Sequence, residues 1–391
     1  MRNFIAGLAG LIILLVLAWL GGWFYAEMHL KQTLEARIDQ INASGKQQLL
    51  YRQMVTSDSP FVASVALVDP QLKVMPTADT PLATVSAARI GAHIDLLHPL
   101  TMHMDLPLSL DISSSGNTGV LSFASASSTE TLKPSVWLGD FSNPVSAADA
   151  KFTGINLLAS GGSLQVFWIG SLTLHDNLNA EATTSQTALY VQSDIQDFRI
   201  SPLFTKLLNL PFNGQIARFS ASLTLSGPLD WQQVVEKQAS MTNLDEKEQF
   251  LLQTAHDWAK AGGHGQGSES LDIGPSLMQA NYNIAFDQQV QPKGMIEVTA
   301  SHLDTFAKAV ANSYPQFQDE ISQINDALSP YLSNTAQDGM ALKINAAYGQ
   351  NGVFMNGRRM EDMPSLDWND LLNPSSAPAF APGDGSGAAS P

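Results

Sequence analysis

Soft metal ligands cluster once in this 391-residue chain, at His98-Pro99-Leu100-Thr101-Met102-His103-Met104. Methionine and histidine together suit Cu(I), and a copper or zinc centre needs three or four ligands converging on one ion. Strand periodicity works against that convergence. On a strand, Met102 and Met104 face one side with Leu106 and Leu108, whereas His103 faces the other with Asp105 and Ser109. The pattern therefore assigns the methionines to a core and makes no metal site. His256 and His264 stand eight residues apart, off the i, i+4 spacing that sets two imidazoles on one helical face, and are read as solvated.

Nucleophilic chemistry fares no better. Neither G-x-S-x-G nor S-x-x-K occurs in a strand–turn–helix context. The run Gly262-Gly263-His264-Gly265-Gln266-Gly267 lacks the Lys-Ser/Thr of a phosphate loop and follows a helix, where a dinucleotide fingerprint follows a strand. It reads as a helix stop and flexible link. Glu361, Asp362, Asp367 and Asp370 form an acidic group read as a solvated terminus, with calcium binding a distant second. The residues thus nominate no catalytic group, no cofactor-binding group, no metal ligand and no cofactor. The expected function is non-enzymatic.

The elements that would position any site are mostly strands. Period-two alternation places strands at Leu49–Thr56, Phe61–Val68, Thr84–Leu97, Thr101–Ile112 and Gly119–Ala126, then at Lys151–Leu158, Gly162–Leu174, Thr187–Ile200 and Gly214–Ser226. Further strands fall at Ser276–Asp287, Lys293–His302, Met340–Tyr348 and Val353–Met355. Gln350-Asn351-Gly352 and Asn356-Gly357 mark the last turns, the second of a type that favours positive φ. Helices are expected at Pro202–Leu210, Leu229–Ser240, Leu244–Ala261, Leu303–Ser313 and Gln316–Leu328. Asn243 is the natural N-cap of the third, and Phe317, Ile321, Ile324 and Leu328 form an apolar stripe on the last.

Composition narrows the partners. Twenty Lys and Arg stand against 36 Asp and Glu, for a formal charge of −16. Nucleic acid and anionic headgroups both require a basic surface, so neither is an electrostatic partner. Cysteine is absent, which excludes disulfides and thiolate chemistry. Charged residues make up 14%, against about 25% in ordinary soluble domains.

The N-terminus supplies the address. Phe4 to Ala26 carries no charge, and its 23 residues rise about 35 Å as a helix, enough to cross a hydrocarbon core of about 30 Å. Bulky Trp23, Phe24 and Tyr25 stand where a signal peptidase needs small residues, so an uncleaved anchor is favoured over a cleaved signal. Arg2 precedes the span and Glu27 follows it, which places the N-terminus in the cytoplasm. Leu30, Leu34, Ile38 and Ile41 continue the helical period to Gly45, either as a stalk or as a helix packed on the next domain.

Trp258-Ala259-Lys260-Ala261-Gly262-Gly263, the stretch Phe286-Asp287 to Pro292-Lys293-Gly294, Leu223-Thr224-Leu225-Ser226-Gly227-Pro228 and Asp338-Gly339-Met340-Ala341-Leu342 resemble the motifs of bacterial domain-of-unknown-function family 2125. Phe286-Asp287 departs from that pattern, which has Leu-Asp. The resemblance implies an anchored, exported, strand-rich protein and carries no catalytic residue. A looser likeness, at the level of fold plan, is to AsmA-like envelope proteins, whose long curled sheets present an apolar groove to lipid.

The expectation is an α+β chain, mainly β: an extended, curled, mostly antiparallel sheet covered by a few amphipathic helices and preceded by one transmembrane helix. Residues 1–26 form the anchor, 27–45 a helical stalk, 46–372 the exported domain and 373–391 a disordered tail. A weak echo of Gly162-Ser163, Ile169-Gly170 and Asp197-Phe198 in Gly267-Ser268, Ile273-Gly274 and Asp304-Thr305-Phe306 divides the domain into related units, 46–226 and 267–372, around a helical insert at 227–266. The expected location is the bacterial inner membrane, single-pass, with the main domain periplasmic. The expected partners are lipid or an envelope protein. An assembly factor working through protein contacts is the alternative, and an envelope hydrolase ranks last.

Overall fold

Alternating polar and apolar residues with short turns favour antiparallel neighbours, and the computed structural model shows how far that rule extends. It describes residues 2–43, 47–74, 83–114, 116–140, 144–241, 243–335, 338–349, 352–361 and 366–372, with side chains from Trp19 onward except at 236, 239 and 361. Among these residues are seven α-helices and one sheet of 21 strands.

The first ten strands are five long strands, each interrupted once: β1 (Gln47–Leu50) with β2 (Gln53–Thr56), β3 (Val62–Val68) with β4 (Gln71–Val74), β5 (Ala83–Ser86) with β6 (Arg89–Asp95), β7 (Thr101–Asp105) with β8 (Ser109–Ser114), and β9 (Asn117–Ser122) with β10 (Ser125–Leu132). Their pairings, such as β2–β3 with β1–β4 and β3–β6 with β4–β5, make a plain up-and-down meander. Both halves of the fifth strand then pair with one side of β11 (Val145–Ala159). The meander continues through β12 (Leu164–Leu178), β13 (Thr187–Ile200), β14 (Gln215–Ser226), β15 (His264–Ile273), β16 (Ser276–Phe286) and β17 (Pro292–Ala300). β18 (Leu332–Thr335) and β20 (Gly352–Met355) share the outer side of β19 (Gly339–Gly349), which joins β17, and β21 (Arg358–Glu361) closes on β20. The sheet does not close on itself.

The helices lie at the ends or on one face. α1 (Arg2–Ala43) runs unbroken beside β3 and β1. Trp19 Nε1 donates to Pro60 O at 2.8 Å at one end, and Asn42 Oδ1 accepts from Leu49 N at 2.7 Å at the other. The strand directions put α3 (Trp231–Ser240) and α4 (Leu244–Lys260) at the Trp19 end of the sheet. α2 (Pro202–Leu207), α5 (Leu303–Ser313) and α6 (Gln318–Leu328) lie at the other end, and α7 (Trp368–Leu372) docks on α4. Asn243 caps α4 as its sequence predicts, accepting from Asp245 N at 3.0 Å.

A transverse seam crosses the sheet. It begins at Tyr51-Arg52, Asp69-Pro70, Ala87-Ala88, Leu106–Leu108 and Phe123-Ala124, where the first five strands break. It continues through Gly154 (φ 55) and Gly170 to Asp197 (φ 58), positions the ladders skip. Most of these gaps keep register, as where Thr153↔Ser171 and Ile155↔Ile169 flank Gly154 and Gly170, so they interrupt the ladder without inserting a residue. The predicted strands Thr84–Leu97 and Thr101–Ile112 therefore divide. Within the break Leu108 is exposed, whereas the alternation placed it in a core.

Other expectations change as well. The glycine run at 262–267 is no flexible link: from His264 onward it is β15, paired on both sides, so the insert ends at Gly263. Gly263 and Gly267 lie beneath the Trp258 and Tyr282 rings, where a Cβ would collide, and this is why glycine serves there. The two echoing motifs are not equivalent, since Asp197 lies in β13 and Asp304 in α5. With β14 paired to β15, the sheet is continuous between the two units. Of the stripe residues, Phe317 just before α6 and Ile324 on it are exposed. Asn356 (φ 47) and Gly357 (φ 80) make the expected tight turn. Gly45, Asp362, the turn residues Gln350 and Asn351, and the tail from 373 lie outside the described residues.

Among the described residues no helix is long and apolar enough to cross a membrane. Phe4–Ala18, the greater part of the predicted span, lies outside the residues whose side chains are described.

Candidate functional site

Register decides what each face of the sheet can do. Rows read across the paired strands separate two chemistries. One row runs His93, His103, Thr129, Asp149, His175, Gln192 and Ser222. The adjacent row on the other face runs Ile94, Met102, Glu130, Ala148, Asp176, Val191 and Leu223. A second row on that face joins Phe152, Leu172, Ile195, Phe219, Leu271 and Met278. The sheet is amphipathic along its length, polar on one side and largely apolar on the other.

The polar face holds imidazole–carboxylate pairs. His93 Nδ1 lies 3.0 Å from Asp105 Oδ1, and His175 Nδ1 lies 2.6 Å from Asp149 Oδ1. The His93 and His103 rings stack at 5.1 Å. These side chains are about a third or more exposed, and pairs in that setting contribute about 0–1 kcal/mol. Among the described residues no three His, Asp or Glu side chains gather as they would to hold a metal ion.

The apolar face becomes a cavity where α1 covers it. The space measures about 800 Å³. Its helix wall includes Ala26, Leu30 and Leu34, and its sheet wall Val65, Leu67, Ile94, Met102 and Met104, with Leu132, Val136 and Val145 at the side. Helical steps of four bring Ala26, Leu30 and Leu34 onto one stripe. Strand alternation brings the sheet residues onto one face. Ile94, Leu132 and Val136 are buried and pack with Leu30, Met102, Trp137 and Val145. Gly91 lets β6 approach β3, since a Cβ there would stand 2.7 Å from the Ala66 Cβ.

Glu130 stands in this apolar wall. Burial pushes its carboxyl above the usual range, and the Asp176 charge adds to the effect. Burial likewise raises Asp176, against a lowering contribution from His175. A carboxyl raised by desolvation holds its proton to higher pH and can then donate a hydrogen bond to an oxygen acceptor. The helix also contributes His29, Thr33, Arg37 and Gln40 to the lining, so volume and lining suit a flexible, mostly apolar molecule with a polar end.

The predicted ligand cluster is split as its alternation requires: Met102 and Met104 line the cavity, and His103 lies on the polar face. His98 sits in the following turn, 3.5 Å from Asp95. His256 is not simply solvated, because its ring packs edge-on against Trp368 at 5.1 Å. His264 approaches Gly262 O at 3.5 Å. Asp367 accepts from Asn369 N at 2.9 Å and starts α7, so it serves as a cap within the folded domain. Glu130, His93 and His175 escaped the sequence reading. Their neighbours come from other strands, and only register reveals them.

Residues 23–346 match the profile of a family described as "Uncharacterized protein conserved in bacteria (DUF2125)". No curated protein and no solved structure gives a match.

Proposed function

The chain belongs to the DUF2125 family, and from that premise we propose that it is a non-enzymatic, inner-membrane-anchored envelope protein. Its N-terminus is cytoplasmic and its sheet periplasmic, and it holds a lipid or another apolar ligand between α1 and the sheet. The uncharged stretch Phe4–Ala26 supplies the anchor, and the sheet curls along its seam around the apolar face. The cavity of about 800 Å³ carries this reading. Its size falls within the range of ligand sites, and its wall is continuous with the apolar rows of later strands. Each methylene moved from water into such a space contributes about 0.8 kcal/mol, so an acyl chain needs few polar contacts to bind.

The test is mass spectrometry of lipid extracted from the full-length protein purified in mild detergent, beside an Ala92→Phe variant that fills the cavity from the β6 wall. Bound lipid in the parent, reduced several-fold in the variant at equal thermal stability, supports the reading. Equal lipid in both shows that the cavity is not the site.

A second reading, an assembly factor, draws on the opposite end of the sheet. There Leu203, Leu207, Phe317 and Ile324 are exposed on α2, on α6 and just before it. A stable protein partner, bound without lipid and lost on Leu207→Asp, would favour it.

A further inference from the structure

The geometry points to a second membrane contact: the loop end of the first six meander strands sits in the lipid interface around the emerging helix α1. This rests on the anchored reading above. Sheet contacts with α1 are already present at Trp19 and Trp23, inside the predicted span. Trp19 Nε1 donates to Pro60 O at 2.8 Å, Trp23 Nε1 donates to Val62 O at 3.3 Å, and Tyr25 meets the Trp137 ring at 6.2 Å. At most fifteen residues of the predicted span, 4–18, precede these contacts. They rise about 22 Å, some 8 Å short of a hydrocarbon core of about 30 Å. The missing length lies within Trp19–Ala26, against which two of the connecting loops pack. The helix completes its crossing only if those loops enter the membrane with it.

The loops carry the side chains for that position. Phe61 (60% exposed), Leu97 (69%) and Leu138 (89%) come from three successive connections at this end, and Phe24 (63%) is exposed on the helix. Aromatic Trp19, Trp23, Tyr25 and Trp137 form a belt of the kind that settles at a membrane–water interface. Interfacial segments sink about 5–10 Å, which matches the deficit in the helix. The insertion has a floor and a lateral limit. The Asp95 carboxylate accepts from Leu97 N at 2.9 Å and is held below its usual range chiefly by that bond, so a charge marks the base of the Leu97 turn. Farther along the same end, α4 begins with Asp245, Glu246, Lys247 and Glu248, which belong in water.

The chain contains no cysteine, so single labels are clean. Spin labels on Phe61→Cys, Leu97→Cys and Leu138→Cys, with Ile12→Cys in the span and Leu207→Cys at the far end, would be read in full-length protein. The protein would be reconstituted in vesicles of phosphatidylethanolamine and phosphatidylglycerol. The ratio of collisions with oxygen to collisions with a water-soluble nickel chelate is expected to rise several-fold at positions 61, 97 and 138 over position 207, approaching that at position 12. Water-like ratios at 61, 97 and 138 overturn the contact. A lipid-like ratio at position 12 in that case leaves the anchor standing, and a water-like one removes the anchor as well.

Discussion

The strands before β11 and those after it solve the same problem differently. Each earlier strand breaks at the seam, and one face is covered by α1 over a partly empty space. From β12 to β17 the strands cross or start beyond the seam as single ladders of nine to fifteen residues. Their helices gather at the ends, as where Ala182, Ala188, Leu229 and Val234 pack with Phe250, Leu251 and Trp258. In the later part, backbone pairing and close packing around glycines hold the sheet. In the earlier part, stability depends on a helix that leaves room beneath it. A binding function belongs in the second kind of structure, because a well-filled core has no space to offer.

Three changes would break or sharpen that contrast. The largest effect belongs to Gly294→Ala in β17, where an added Cβ would fall on the Asn283 carbonyl and the Tyr348 ring. Backbone cannot yield as a side chain can, so the expected cost is about 3 kcal/mol. Urea melts should show the loss, with hydrogen exchange rising first in β16, β17 and β19. If α1 and β3 exchange first, the two parts are not mechanically distinct. Ile94→Ala comes next. Ile94 is 4% exposed, yet it faces a space already partly empty and so has fewer contacts to lose than a fully enclosed isoleucine. The cost should lie at the low end of such truncations, about 2 kcal/mol, with exchange rising in α1 and β6 and not in β16. A cost well above that range would mean the site is tightly filled.

The smallest effect is that of Glu130→Gln, and it depends on pH. Burial raises the carboxyl in the folded state, so the folded protein binds its proton more tightly than the unfolded chain. Native stability is therefore lost as pH rises from the unfolded value through the folded one, and the loss is complete above the latter. Glu130→Gln should be more stable than the parent at neutral pH and equal to it once both states of the parent are protonated. An unchanged difference between acid and neutral pH would show that Glu130 reaches water freely.

Much of the fold was legible because period two survives in nearly every strand. Thr187–Ile200 and Gly214–Ser226 read almost to the residue, and Asn243 and Asn356-Gly357 announce themselves through local chemistry. The seam was not legible, because Tyr51-Arg52 and Ala87-Ala88 interrupt the regular ladder without interrupting the alternation. β15 was hidden by glycines whose purpose, room for Trp258 and Tyr282, is set by residues near and far in the chain. The cavity escaped for a related reason. Leu30 and Met102 each look like ordinary core, and only the packing of α1 on β3 shows that the space between them is left open.

The strict meander bears on how the protein acquires its shape. Each long strand pairs with the strand that precedes it, even where helices intervene, so most ladders close over short separations. Chains rich in such local pairings nucleate quickly and need not wait for distant partners. The sheet can therefore grow strand by strand from its N-terminal side as the chain emerges, with α1 already present as a template for the first strands. Late segments add to a preformed edge, and a stalled or truncated chain keeps the cavity while losing only the far ladders.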